Sequence, residues 1–169
     1  YIVDQVPGFR VVDISDPSSP ILVGTCETPG YSVHVAVCGD YAYVADSSGL
    51  QVIDVSLPLS PSLIGNVEGL GFTRDLVVAG SLCFVSGSGM QVIDLADPAA
   101  PVLVGNLPTP GLAYGIAAQG NLAFVADHFE GLQIVDVSDP GNPYILANAR
   151  VPDRAISVTA SSSFAYVLD

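Results

Sequence analysis

An all-β fold, built from short four-stranded antiparallel sheets that recur about every forty residues, is what this sequence predicts. Three observations carry that expectation. One segment type returns four times at nearly constant spacing, a second hairpin-like segment returns between its copies, and the composition is short of helix formers. The 169 residues contain no Lys and only three Glu, whereas Val, Ile, Gly, Pro and Asp are plentiful, which favours strands and turns over solvent-facing helices.

The first segment is "GFRVVDISDPSSP" at 8–20, "GLQVIDVSLPLSP" at 49–61, "GMQVIDLADPAAP" at 89–101 and "GLQIVDVSDPGNP" at 131–143, superimposable without a gap. Its aspartates, Asp13, Asp54, Asp94 and Asp136, follow one another at intervals of 41, 40 and 42 residues. Between the copies stand "VAVCGDYAYVAD" (35–46), "LVVAGSLCFVSG" (76–87), "IAAQGNLAFVAD" (116–127) and "VTASSSFAYVLD" (158–169), each a pair of apolar runs around a small polar turn, the pattern of a hairpin. One unit therefore holds four strands, near 34–38, 41–46, 50–56 and 61–67. Residues 76–93 carry no charge over eighteen positions, the length of a membrane helix, but Gly80, Gly87 and Gly89 divide them into short buried strands instead. Four antiparallel strands per repeat is the make-up of a propeller blade.

The "LQIVDVSDPGNP" and "LQVIDVS" segments, each following "FVAD" or "YVAD" and a glycine, resemble the LVIVD repeat family of β-propellers. The resemblance covers essentially the whole chain. It implies propeller blades of bacterial or archaeal proteins, often secreted or surface-exposed, and transfers no catalytic motif. Leu57 departs from the aspartate of Asp16, Asp97 and Asp139, and Ala147 from the glycine of Gly24, Gly65 and Gly105. We expect a single domain over 1–169 with repeats at 1–41, 42–82, 83–122 and 123–164, then the start of a fifth. Residues 1–4 and 164–169 both match a second strand, so the first expectation is an excerpt of a longer propeller. A closed four-bladed ring is the alternative, and open blade edges also permit homo-association.

A formal net charge of -13 with four Arg argues against a nucleic-acid partner, which needs clustered cations. Cys26, Cys38 and Cys83 lack metal or disulfide spacing and are expected as buried thiols. No targeting segment is visible, and the chain begins with Tyr. Acidic composition and the absence of Lys fit an extracytoplasmic or high-salt setting, and with what the resemblance implies an extracellular or cell-surface place is favoured.

Asp54 lies in a segment that looks covered on both faces, so its carboxylate needs local donors, which the following loop can supply. An aspartate present in every repeat builds the repeat. Gly8, Gly49, Gly89 and Gly131 precede the same strand and serve the backbone, since no helix follows to receive an anion. No calcium-loop pattern accompanies the aspartates; Asp16, Asp97 and Asp139 before proline are turn formers. We expect no catalytic residues, metal or cofactor.

Function is better sought where the repeats disagree. With strands lettered A to D from the centre outward, the D-to-A and B-to-C connections share one face of the array, and the regular A-to-B and C-to-D turns the other. The irregular face collects the bases: His34, Arg74, Arg150 and Arg154 in or beside D-to-A connections, His128 in the B-to-C loop, and Arg10 just after another. Tyr31, Phe72, Tyr114 and Phe129 join them; Tyr31 and Tyr114 are taken as comparable positions. Candidate ligand-binding residues are His34, Arg74, Asp75, Tyr114, His128, Phe129, Glu130 and Arg154. A noncatalytic module binding a protein or small ligand is expected. The alternatives are a hydrolase or lyase, with His34 or His128 as base and Arg74 or Arg154 as anion clamp, and a structural repeat of a surface protein.

Overall fold

The computed structural model describes residues 1–3 and 8–169, all in strands, turns and loops. Asp4, part of the strand expected over 1–4, lies outside the described residues. The first sheet pairs β1 (Ile2–Val3), β2 (Gly8–Asp13) and β3 (Ile21–Glu27) in chain order. Three four-stranded antiparallel sheets follow: β4 (Ser32–Cys38), β5 (Tyr41–Asp46), β6 (Gly49–Asp54) and β7 (Ser62–Glu68); β8 (Asp75–Ala79), β9 (Leu82–Ser86), β10 (Met90–Asp94) and β11 (Val102–Leu107); and β12 (Gly115–Gln119), β13 (Leu122–Ala126), β14 (Leu132–Asp136) and β15 (Tyr144–Ala149). The hairpin β16 (Ser157–Ser161) and β17 (Phe164–Leu168) closes the series as a sheet of its own. Among the described residues no strand of the first sheet pairs with it, so these five sheets form an open array and the four-bladed ring is not closed by strand pairing.

Each blade is covered by the next, which explains the nearly continuous apolar runs. Phe9 and Val11 pack with Val44 and Ile53; Leu50 and Val52 with Leu76, Val85 and Ile93; Met90 and Val92 with Ile116 and Val125; Ala126 and Leu132 with Val158. Burial of each such aliphatic side chain contributes about 1.5–3 kcal/mol. The innermost strands β4, β8, β12 and β16 lie side by side in succession.

The C-to-D loops also tie blade to blade. Gly24, Gly65 and Gly105, at the register shift of each outer strand, leave room for the next blade's loop. A Cβ there would stand 2.2, 2.5 and 2.1 Å from the carbonyl oxygens of Pro58, Pro98 and Pro140. Ala147 takes this place on β15.

Two expectations need correction. Asp13, Asp54, Asp94 and Asp136 are not held inside a covered strand: each ends its strand, exposed or half-buried. Their carboxylates accept the N–H two residues on, from Ser15 (2.9 Å), Ser56 (2.8 Å), Ala96 (2.9 Å) and Ser138 (2.9 Å); hydrogen bonds from the Ser56 and Ser138 hydroxyls, then their N–H groups, hold Asp54 and Asp136 below the usual carboxylate range, and the Ser15 N–H, then its hydroxyl, does so for Asp13. Of the cysteines only Cys83 is buried, with its thiol pushed up by desolvation; Cys26 is half-buried and Cys38 exposed.

Candidate functional site

The loop face is organised by carboxylates at the ends of the B strands. Asp46, fully buried, accepts N–H groups from Gly30 (3.0 Å), Ser48 (2.8 Å) and Gly49 (2.9 Å) and the Gln51 amide (3.3 Å). Two blades on, Asp127 accepts the Thr109 hydroxyl (2.7 Å) and the Gly111 N–H (2.9 Å). Burial lifts its pKa, and the Thr109 and Gly111 bonds draw it back. Each carboxylate clamps a B-to-C loop to the D-to-A loop beside it.

The blade between them has Gly87 at that place, beyond Ser86, the partner of Met90. A Cβ on Gly87 would stand 1.8 Å from the Phe72 carbonyl oxygen, so the absence of a side chain lets the 69–75 loop settle against the B strand. The Thr73 hydroxyl fastens this loop to the previous blade through the Asp46 carbonyl (2.6 Å). Arg74 donates its backbone N–H to Ser86 (2.9 Å), as Tyr114 does to Ala126 (2.8 Å) and Ile156 to Leu168 (2.9 Å). Arg74, Tyr114 and Ile156 are thus equivalent positions, and Val33, one residue before His34 on strand A, is the fourth. Tyr31 lies two residues earlier, so it is not the counterpart of Tyr114. These four positions line a cleft of about 360 Å³ together with Phe72, Thr73 and Asp75.

From the cleft a string of rings and guanidinium groups crosses the face. The Arg74 guanidinium carbon is 3.8 Å from the centre of the Tyr114 ring and 4.9 Å from that of Phe72. Tyr114 stacks on His128 at 5.0 Å and 15°. His128 meets Phe129 edge-on at 4.2 Å and 71°, and Arg154 lies over Phe129 at 5.0 Å. His128 has φ 52°, a left-handed conformation that non-glycine residues adopt only when neighbours impose it. The imposing neighbour is the next blade: His128 and Ala155 exchange backbone hydrogen bonds of 3.1 and 3.0 Å.

A second cluster sits at the start of the inner strands. His34 Nδ1 meets Asp75 Oδ1 at 2.8 Å. The same oxygen accepts the Leu76 N–H (2.8 Å), and Oδ2 accepts the Ile116 N–H (3.0 Å). One carboxylate thereby joins β4, β8 and β12. The Asp75 hydrogen bond holds the His34 imidazole above its ordinary value, against the opposing effect of burial.

The structure brings Arg74, Tyr114, His128, Phe129 and Arg154 into one string and His34 with Asp75 into an adjoining pair. Glu130 is in the same loop as His128, but its exposed carboxylate takes no ion pair among the described residues. Arg10 lies within β2, and Arg150 follows β15, outside the string. Sequence reasoning passed over Asp46, Asp127 and Thr109. The signal for Asp46 and Asp127 is the final letter of "YVAD" and "FVAD", which marks a carboxylate facing the D-to-A glycine.

Stacked four-stranded blades with loops gathered on one face define a β-propeller array. The model for the LVIVD repeat matches residues 1–28, 29–69, 70–109 and 110–149, and the chain belongs to the LVIVD repeat family. Among solved structures it is similar to the computationally designed Ika8 protein, with TM-score 0.71 and 6% identity over 86% of this chain and 45% of that one. It is also similar to the computationally designed Ika4 protein, with TM-score 0.69 and 9% identity over 83% of this chain and 86% of that one. The chain thus spans less than half of the Ika8 length, and at these identities the likeness concerns the fold. No curated protein sequence matches.

Proposed function

We propose that this propeller module is a noncatalytic binding element that takes its partner, a protein or small ligand, on the loop face. The observation that supports this reading is the string from Phe72 to Arg154, which crosses three blades at positions where the repeats differ. Positions shared by all blades serve the scaffold, whereas residues peculiar to one blade on rigidly held loops are where recognition accumulates. Four arginines in a chain of net charge -13 are too few to track a phosphate backbone, so the inferred partner is not a nucleic acid. The test is amide chemical-shift mapping of a small-fragment library on the labelled protein. Shifts should gather at 28–34, 69–75, 109–114, 127–131 and 151–157, and Phe129→Ala should reduce them without lowering the melting temperature. Shifts gathered instead on the A-to-B and C-to-D turns would overturn the reading.

A hydrolytic reading has one observation in its favour, the His34–Asp75 pair, which holds Nδ1 and leaves Nε2 as the proton-accepting atom. It requires turnover of ester or carbonyl probes that His34→Gln abolishes; turnover that survives this substitution excludes it.

A further inference from the structure

We propose that the cleft beside Arg74 receives a carboxylate monoanion with an apolar body, its acid group held by the edge of the Arg74 guanidinium. This rests on the loop-face reading and names the ligand class for it. Arg74 is a cation without an acid in a chain that has 17 Asp and Glu. Among the described residues no carboxylate pairs with its guanidinium, and no oxygen accepts a hydrogen bond from it. The neighbouring Asp75 does not neutralise it, because both Asp75 oxygens are engaged by His34, Leu76 and Ile116. Nor does the Thr73 hydroxyl compete, since it is donated to Asp46.

The Phe72 and Tyr114 rings stand 4.9 and 3.8 Å from the guanidinium carbon, contacts that use none of its N–H donors. A planar guanidinium in such aromatic contact matches a carboxylate with two parallel bonds. Val33, Tyr114, Ile156 and Phe72 form the apolar walls and call for an apolar body, while Asp75 and Thr73 complete the lining with their side chains already bonded to His34, Leu76, Ile116 and Asp46. The cleft volume of about 360 Å³ is at the small end of ligand pockets, which run from roughly 300 to 1,000 Å³. A phosphate is disfavoured on two counts. It needs several donors where one guanidinium is present, and its second charge would stand near the Asp75 carboxylate.

The carboxylate can belong to a free organic acid or to a peptide C-terminus, and the probes separate these sources. Phenylacetate and phenylacetamide are titrated at about 0.15 M salt, where long-range repulsion by the acidic chain is screened. A short peptide ending in Phe is titrated as free acid and as amide, and Arg74 Nε–H and the amides of 73–75 are followed. Phenylacetate should bind at least tenfold more tightly than its amide, and Arg74→Met should erase the preference. If Arg74→Met does not fold, Arg74→Lys keeps the charge without the fork and should lose most of the preference. A preference shown only by the peptide pair assigns the acid to a C-terminus. Equal binding of acid and amide forms overturns the carboxylate inference while leaving loop-face binding intact; so does an acid preference that survives Arg74→Met. Absence of any shift at 73–75 with every probe removes the site itself, and fragment mapping elsewhere on the face then decides the broader reading.

Discussion

On the turn face, aspartates at one repeat offset do the same local work four times: Asp13, Asp54, Asp94 and Asp136 each cap the loop that follows them, in contact with water. On the loop face, carboxylates only eight or nine residues away in sequence do something different. Asp46 and Asp127 are fully buried and join segments 16 or more residues apart. The intervening blade replaces this carboxylate with Gly87, and the loop that closes over the glycine carries Phe72 and Arg74. Repetition therefore marks what the scaffold needs on both faces, and its interruption on the loop face coincides with the string of rings and guanidinium groups.

The comparison predicts its largest effect at Asp46. Removing this acceptor strands buried donors, each costing about 1–3 kcal/mol, with partial relief from entering water. Asp46→Ala should cost about 3 kcal/mol in all, a fall in melting temperature of roughly 6–12 °C for a chain of this size. Asp54→Ala should cause only a small fall, because its exposed turn rehydrates. Equal losses for the two variants, by thermal denaturation, would break the distinction between the faces.

A smaller effect is expected where loop meets strand between blades. Gly105→Ala places a methyl group against the Pro140 carbonyl, 2.1 Å from the ideal Cβ position, with Pro143 at 3.2 Å. Overpacking of this kind costs about 1–3 kcal/mol. If Gly105→Ala melts like the parent, the C-to-D loop is not the blade-to-blade tie described above.

Fold and blade order were legible because the repeats encode them redundantly: four copies of one strand and four hairpins leave little freedom, and 34–38, 41–46, 50–56 and 61–67 fall close to β4 to β7. The loop face was legible only as a location. Composition showed that bases gather there, but not that Arg74 stacks on Tyr114 rather than pairing with Asp75. That choice depends on Asp75 being engaged by His34 and by a backbone N–H of the following blade, a contact 41 residues away. In the sequence Tyr31 and Tyr114 stand at comparable places in their repeats, whereas the hydrogen-bond register makes Arg74 and Ile156 the equivalents of Tyr114. The buried carboxylates were overlooked for a related reason. The aspartate of "LQVIDVS" attracts notice within an apolar run, yet it stands where the strand ends, and the terminal aspartate of "YVAD" enters the interior.

The smallest and most specific effect concerns the pair that joins three inner strands. His34 has its pKa raised by Asp75 from the ordinary 6.5, so the folded state holds its proton more tightly than the unfolded chain. The resulting stabilisation is fully present below pH 6.5 and is lost as pH rises through the elevated folded value. Because the His34 side chain is 42% exposed and Asp75 21%, solvent screens the pair and the effect is modest. The melting temperature should decline gently from pH 6 towards pH 9, and His34→Gln should flatten the profile while remaining folded. A flat profile in the parent protein would mean that His34 and Asp75 contribute no proton-linked stability to the inner strands. Asp75 would still join β8 to β12 through the Ile116 N–H, a bond that persists whichever state His34 occupies.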